Sequence, residues 1–160
     1  MQFSPSVYEH AARVIGKSPW EVSRSADLLA EGNIQAFHLY HHAPVVVGHP
    51  VPCVMGGDTT PILDAILETP TGYVCCPAGT DQKMFMEKMK AHPDVMVRIN
   101  MDPRPMTAKN FNAVKKEVDR VLELANNRDK VCIGTGCLPF ETDPEMVLRT
   151  KEYILTKNVP

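Results

Sequence analysis

The strongest constraint on the fold is a series of short apolar runs separated by amphipathic segments. The runs are PVVVGH (44–49), VPCVMGG (51–57), GYVCCP (72–77), VMVRIN (95–100) and KVCIGTG (130–136). They do not show the strict polar–apolar alternation of a strand with one solvated face. This pattern is typical of strands that are covered on both faces, as in a parallel sheet. The sequence therefore predicts about five parallel strands.

Helix-start signals lie between the later runs and before the first one. Ser18-Pro19-Trp20-Glu21 combines a capping box with proline at the first helical position. Further helices are expected to begin near Thr60, at Thr80 or Asp81, near Thr107 and at Thr142-Asp143-Pro144. The first 40 residues predict helices over 6–17, 18–30 and 34–40. Repeated βα units predict right-handed crossovers, so we expect N-terminal helices followed by a parallel α/β sheet.

Size and composition limit the class of protein. The 160 residues are 44% hydrophobic and 22% charged, with a net charge of −2, which fits a single domain over 1–160. No basic stripe is present, so we expect no nucleic-acid partner. No apolar run approaches the ~20 residues of a membrane helix, so we expect no membrane partner. The start lacks a signal-peptide pattern, and the five cysteines are expected to be reduced thiols in the cytoplasm.

Candidate functional residues follow the strand runs, because ligands of parallel α/β folds bind at the carboxyl ends of strands. The candidates are His49, Gly56, Gly57, Asp58, Asn100, Asp102, Gly136 and Cys137. Histidine and the carboxylates are suited to acid–base chemistry. The glycines allow a ligand to approach the backbone closely. The thiol is a metal ligand or a nucleophile.

Several of these positions also have a structural interpretation. Asp58 can cap the helix that begins near Thr60, and Asp102 can be a turn residue before a proline. Adjacent strand residues point to opposite faces, so at least one of Cys75 and Cys76 is expected in the core. Cys53 and Cys132 are expected to be packing residues. A structural role for Cys137 is as well supported by the sequence as a chemical one.

Three segments carry a family resemblance. They are DTTPILDAILETPTGYVCCPAGTDQ, VMVRINMDP and VCIGTGCLPFETDPEMVLRTKEYI, and they resemble the C-terminal half of the uroporphyrinogen decarboxylase family. The N-terminal stretch up to YHHAPVVVGH resembles the opening helices and first strand of that family. The resemblance implies a (β/α)8 barrel, but this chain is about half as long as a member of that family. We therefore expect a partial barrel of about five strands, shortened in the middle.

Within the family, the chain is more similar to the cobamide-dependent methyltransferases. The essential aspartate of the decarboxylases has no match, since its position falls in Gly48-His49-Pro50. The resemblance thus implies methyl transfer with a corrinoid protein or a small methyl carrier, and argues against decarboxylation. Asp58, Asn100, Asp102 and Cys137 would line the site, with His49 as acid or base.

The methyltransferases also hold zinc through a His-x-Cys pair and a later Gly-Cys motif. Cys137 matches the later cysteine, but Val54 and Gly56 replace the pair. The resemblance thus implies one zinc ligand of three. His49 and Cys53 are close in sequence and could substitute for the pair, but their spacing differs from the family pattern.

Two other functions remain open: a non-catalytic protein that binds a tetrapyrrole or corrinoid, and a truncated remnant that still folds. For each of these functions, a sheet of five parallel strands leaves two open edges. We therefore expect a homodimer that covers them.

Overall fold

The computed structural model describes residues 2–6, 9–40, 56–125 and 128–157. Four strands occur there: β1 (Gln2–Ser6), β2 (Tyr73–Cys76), β3 (Met96–Met101) and β4 (Val131–Cys137). The helices are α1 (His10–Val14), α2 (Pro19–Val22), α3 (Ala26–Tyr40), α4 (Leu63–Leu67), α5 (Gln82–Lys88), α6 (Arg104–Thr107), α7 (Phe111–Ala125) and α8 (Pro144–Lys157). Short 3-10 turns, Thr60–Ile62 and Met89–Ala91, adjoin α4 and α5.

The strands form one parallel sheet in the order β1-β4-β3-β2. Val97 of β3 pairs with Val131 of β4, and Tyr73 of β2 pairs with Met96 of β3. From β2 to β4 the chain follows the expected βα rhythm, so three of the predicted runs are confirmed as neighbouring parallel strands. Their carboxyl ends lie at one edge of the sheet, which we call the carboxyl edge.

The prediction of a partial barrel with about five strands is wrong. In the described part of the chain the sheet is open, and its edge strands β1 and β2 are separated by β3 and β4. A barrel requires the two edge strands to pair, and this order keeps them apart. Three of the predicted runs form strands, and the remaining strand, β1, lies in a segment that was not expected to be one. The runs at 44–49 and 51–55 lie outside the described residues.

Expected side-chain caps begin some of the helices, whereas α1, α4 and α6 begin without one. Ser18 and Glu21 form the reciprocal capping box at α2, and Asp81 accepts a hydrogen bond from the Met84 amide at α5. The long helix predicted from Thr107 instead begins at Phe111. Lys109 has a positive φ of 54°, which breaks the helical path and separates α6 from α7.

The main core lies between one face of the sheet and the helices. Val114, Val118 and Val121 of α7 pack in the same cluster as Val97 and Ile99 of β3. Tyr40 at the end of α3 belongs to this cluster as well. The N-terminal helices therefore contribute to the core that supports the sheet. No helix in the described ranges is long and apolar enough to cross a membrane.

Candidate functional site

The face of the sheet opposite α7 is polar. Cys75, Arg98 and Cys132 stand in register across β2, β3 and β4, with Asn100 beside them toward the carboxyl edge. We call these four residues and Tyr73 the polar face. All except the half-buried Tyr73 are buried. A parallel sheet that is buried on both faces therefore carries an arginine and an amide on one of them.

Gly134 makes room for the arginine on the polar face. A Cβ atom at residue 134 would come within 2.1 Å of Arg98 Nε, which no side chain can tolerate without a shift. The Arg98 side chain thus lies directly over the backbone of β4. One of its terminal nitrogens donates to the Thr135 carbonyl at 3.4 Å.

Asn100 is the residue of the polar face nearest the carboxyl edge. Its amide nitrogen lies 3.1 Å from Cys75 Sγ. Its side-chain oxygen has no hydrogen-bond partner among the described residues. A buried acceptor without a partner costs about 1–3 kcal/mol, so Asn100 is the described candidate best suited to meet a ligand donor.

Burial raises the pKa of Cys132 and Tyr73 on the polar face and of Cys76 on the opposite face. Burial raises the pKa of Cys132, and the Arg98 guanidinium only partly offsets this rise. Burial likewise raises the pKa of Cys76, which lies on the apolar face, so one of the paired cysteines is in the core, as predicted. Burial raises the pKa of Tyr73 to about 12. These groups therefore stay protonated near neutral pH and are poor nucleophiles.

The loop before α4 docks on the loop after β2. Thr80 Oγ1 accepts the Thr59 amide at 2.6 Å and lies 3.1 Å from Asp58 Oδ1. The Thr60 amide donates to the same Asp58 oxygen at 3.0 Å. Hydrogen bonds from Thr60 lower the pKa of the exposed Asp58 carboxyl. Asp58 therefore forms a local turn just before the 3-10 segment, whose N-cap position is Thr59 and has no side-chain cap bond.

The predicted glycines have different surroundings. Gly57 has a φ of +77°, which favours glycine, and its backbone lies 3.5 Å from where a Cβ on Gly79 would be. Gly56 has open space around it, while a Cβ on Gly136 would lie 3.3 Å from the Pro103 ring. Gly57 thus serves a left-handed backbone turn, and Gly136 a close contact with the Pro103 ring.

Asp102 follows β3 and is held by Arg104. Its two carboxylate oxygens accept Arg104 Nε at 3.0 and 2.8 Å, and side-chain hydrogen bonds from Arg104 lower its pKa. Cys137, at the end of β4, is exposed. Within the described part of the chain, no hydrogen bond joins Asp58 to Asp102. The structure places these candidates at one edge of the sheet but does not join them into one cluster.

The described residues do not complete the zinc site of which the resemblance implies one ligand, Cys137. Among them, no three His, Cys, Asp or Glu side chains are close enough to hold a metal ion. Cys137 is a single thiol, and Asp102 is already paired with Arg104. His49 and Cys53 lie outside the described residues. The donor set that can be described does not fit zinc.

A network that sequence reasoning missed joins the ends of β2 and β3. Gln82 is 4% exposed, and its amide nitrogen lies 2.8–3.2 Å from the carbonyl oxygens of Cys76, Pro77 and Asn100. Arg120 donates to the Gln82 side-chain oxygen at 2.8 Å. One buried amide therefore fixes the carbonyls at the ends of two neighbouring strands.

The same network continues to the backbone of Asp102. Arg120 pairs with Glu117 at 2.7 Å, and Glu117 accepts the Asp102 amide at 3.0 Å. The signal in the sequence is weak, because Gln82 directly follows a helix cap and is the kind of residue expected in solvent there. Glu117 and Arg120 look like an ordinary ion pair three residues apart on a helix surface.

Comparison with known protein-family models gave no match to this chain, and comparison with curated proteins gave none either.

Proposed function

We propose that this protein is a methyltransferase-like member of the uroporphyrinogen decarboxylase family that binds a corrinoid or another small methyl carrier at the carboxyl edge. The sequence resemblance suggests the chemistry. Its three C-terminal segments include β2, β3 and β4 together with the loops that follow them. The family-like residues are thus at the edge where parallel α/β proteins bind ligands.

The observation that carries the proposal is the environment of Asn100. Its side-chain oxygen is buried, has no partner among the described residues, and lies near the end of a strand that Gln82 holds in place. A ligand N–H group would satisfy this oxygen. The peripheral amide groups of a corrinoid are donors of this kind, so its recognition would use hydrogen bonding at a preorganised position.

The described residues support binding better than they support acid–base catalysis. Asp58 and Asp102 have lowered pKa values because they accept hydrogen bonds from Thr60 and Arg104. A weakly basic carboxylate with internal partners is a poor general base. In a methyl transfer, the carrier itself would supply the reactive bond, while the protein would orient it.

A second candidate function is binding of a corrinoid or other tetrapyrrole without turnover. The raised pKa values of the buried thiols favour it, since Cys76 and Cys132 are not activated nucleophiles. Zinc activation of a thiol forms no part of either proposal. A thiol acceptor would have to be ionised by some other means.

The proposal also includes a cytoplasmic homodimer. The four described cysteines are all free thiols, which fits a reducing compartment. Among the described strands, β1 and β2 each pair on one side only, and a second copy would protect such edges. Light scattering at micromolar concentration tests this part. A monomer mass across that range would remove the dimer.

The first experiment is an absorbance titration with hydroxocobalamin and methylcobalamin. We expect a saturable spectral change, and Asn100→Leu should weaken the affinity at least about tenfold, or about 1.4 kcal/mol. Asp94→Asn is the matched control, because Asp94 is exposed at the opposite end of β3. Equal affinity in the Asn100 variant and the wild type would contradict the proposed site.

Turnover is then tested with bound methylcobalamin and a thiol acceptor. Loss of the methyl group from cobalt, with formation of a thioether, would support methyl transfer. Binding without demethylation would favour the second candidate function. If neither cobalamin binds to a folded protein, the corrinoid proposal fails and the truncated remnant becomes the better description.

A further inference from the structure

A buried histidine–tyrosine pair joins the N-terminal helices to one another. His10 of α1 and Tyr40 of α3 are both 0% exposed. His10 Nε2 lies 2.7 Å from the Tyr40 hydroxyl, and the two rings are stacked with their centroids 5.9 Å apart. This hydrogen bond is a buried polar link between α1 and α3. The two helices also pack closely, with Gly32 against Ala11.

The same pair contacts the segment that follows β4. The backbone carbonyl of Pro139 is near the His10 ring, and Lys151 of α8 donates to the Tyr40 carbonyl at 2.7 Å. Arg13 of α1 lies over the Phe140 ring at 5.7 Å. The helical layer α1–α3 is therefore docked on the loop 138–143, which begins directly after Cys137 at the carboxyl edge.

The surroundings of His10 favour its neutral form. Burial lowers its pKa most; the Pro139 carbonyl and Asp143 raise it, and Arg13 lowers it. Burial also raises the pKa of Tyr40 well above its ordinary value, so its hydroxyl stays protonated and can donate to a neutral imidazole nitrogen. When His10 is protonated, its Nε2 carries a proton and can no longer accept this hydrogen bond. Its Nδ1 has no hydrogen bond of good geometry within the described residues.

We propose that His10 and Tyr40 form a pH-sensitive latch that holds α1–α3 on the loop 138–143 and releases them on acidification. The charged groups facing the pair are Arg13 on α1, Asp143 before α8 and Lys151 on α8. Protonation adds a positive charge near Arg13 and Lys151, and among these described groups Asp143 offsets it. The latch is a property of the fold and is independent of any ligand, and therefore of the proposed function.

The direction of the effect follows from proton linkage. The folded state holds His10 neutral, so the open state binds the proton first as the pH falls. Opening is then favoured progressively below the ordinary histidine pKa of about 6.5, by up to about tenfold per pH unit for one proton. Above that pH the latch is fully closed, and opening is independent of His10.

Hydrogen exchange between pH 5 and 8 tests the latch, with rates corrected for intrinsic exchange. In the wild type, we expect the protection of α3 amides to fall by up to about tenfold per pH unit below about 6.5. His10→Gln should remove this slope. His38→Gln is the matched control, because His38 is an exposed histidine on α3, the helix whose amides are measured. This variant should retain the slope. The amides of β3 should show no His10-dependent slope in any variant.

Two further readouts keep the test decisive if His10→Gln folds poorly. Tyr40→Phe removes the hydroxyl but keeps the ring, so α3 should be more open at pH 8 and still respond to acid. Trp20 of α2 is the single tryptophan, and its fluorescence should change over the same pH range. The same slope in wild type and His10→Gln, or unchanged opening in Tyr40→Phe, would overturn the latch.

Discussion

The two faces of β3 are buried to a similar degree but are built from different chemistry. On one face, Val97, Ile99 and Met101 are all 0% exposed and pack in the helix-covered core. On the other, Arg98 and Asn100 are 5% and 8% exposed. An apolar face gains stability from burial itself, whereas a polar face must satisfy its groups one by one. The apolar face therefore stabilises the fold, and the polar face is where specificity can be built.

The largest expected effect is on the apolar face. Ile99→Ala should lower the free energy of unfolding by about 2–5 kcal/mol, because it leaves a cavity in a closely packed core. Urea unfolding followed by circular dichroism measures it. Leu155→Ala is the control, since Leu155 is 51% exposed and should change the free energy by no more than about 0.5 kcal/mol. Equal effects at the two positions would contradict the packing described for β3.

The next largest effect on stability is expected at Gly134, where the polar face meets the backbone of β4. Gly134→Ala should lower the free energy of unfolding by about 1–3 kcal/mol, since the new methyl group meets the Arg98 guanidinium in a buried space. In an Arg98→Met background the same change should cost clearly less. A double-mutant cycle in urea measures the coupling. Additivity within about 0.5 kcal/mol would show that the arginine does not occupy this position.

Tyr73 on the polar face should make the free energy of unfolding depend on pH in the alkaline range. Burial raises the pKa of Tyr73 to about 12, so the folded state keeps its proton when the unfolded chain has lost it. The associated stability is present below about pH 10 and is lost as the pH rises from 10 to 12. Unfolding at several alkaline pH values should show a smaller loss in Tyr73→Phe than in wild type. An unchanged profile in the variant would contradict this assignment.

The smallest effect on the free energy of unfolding is expected at Asn100, the residue proposed to meet the ligand. Asn100→Leu removes a buried amide whose side-chain partner among the described residues is a thiol, so the free energy of unfolding should change by no more than about 1 kcal/mol. Urea unfolding beside the cobalamin titration separates stability from binding. A large loss of stability would mean that the amide is structural.

Local signals made most of the elements predictable. The caps at Ser18, Asp81 and Asp143 depend on residues within a few positions, and all three are observed. The same holds for β2, β3 and β4, whose apolar runs are continuous enough to be recognised. Strand β1 was missed because QFSPS contains Pro5 and lacks such a run. Its register is also irregular between Ser4 and Ser6, and proline is tolerated only at an edge of this kind.

The number of strands and the details of the site depend on contacts that a sequence pattern does not encode. The run VMVRIN was interpreted as apolar throughout, yet its arginine and asparagine occupy a face of their own. Sequence position correctly placed Asn100, Asp102 and Cys137 at the carboxyl edge. It did not show that Gln82 and Arg120, 38 residues apart, meet at 2.8 Å and hold that edge together.

The pairing of β1 with β4 has a consequence for how the chain folds. Gln2 lies beside Cys132, so β1 cannot pair with β4 until the chain beyond residue 132 has been synthesised. Contacts of such high contact order form slowly. The unit from β2 to α8 consists of neighbouring elements and can collapse earlier. Until β4 emerges, β1 is an unpaired strand on a nascent chain, a state that invites chaperone binding or aggregation.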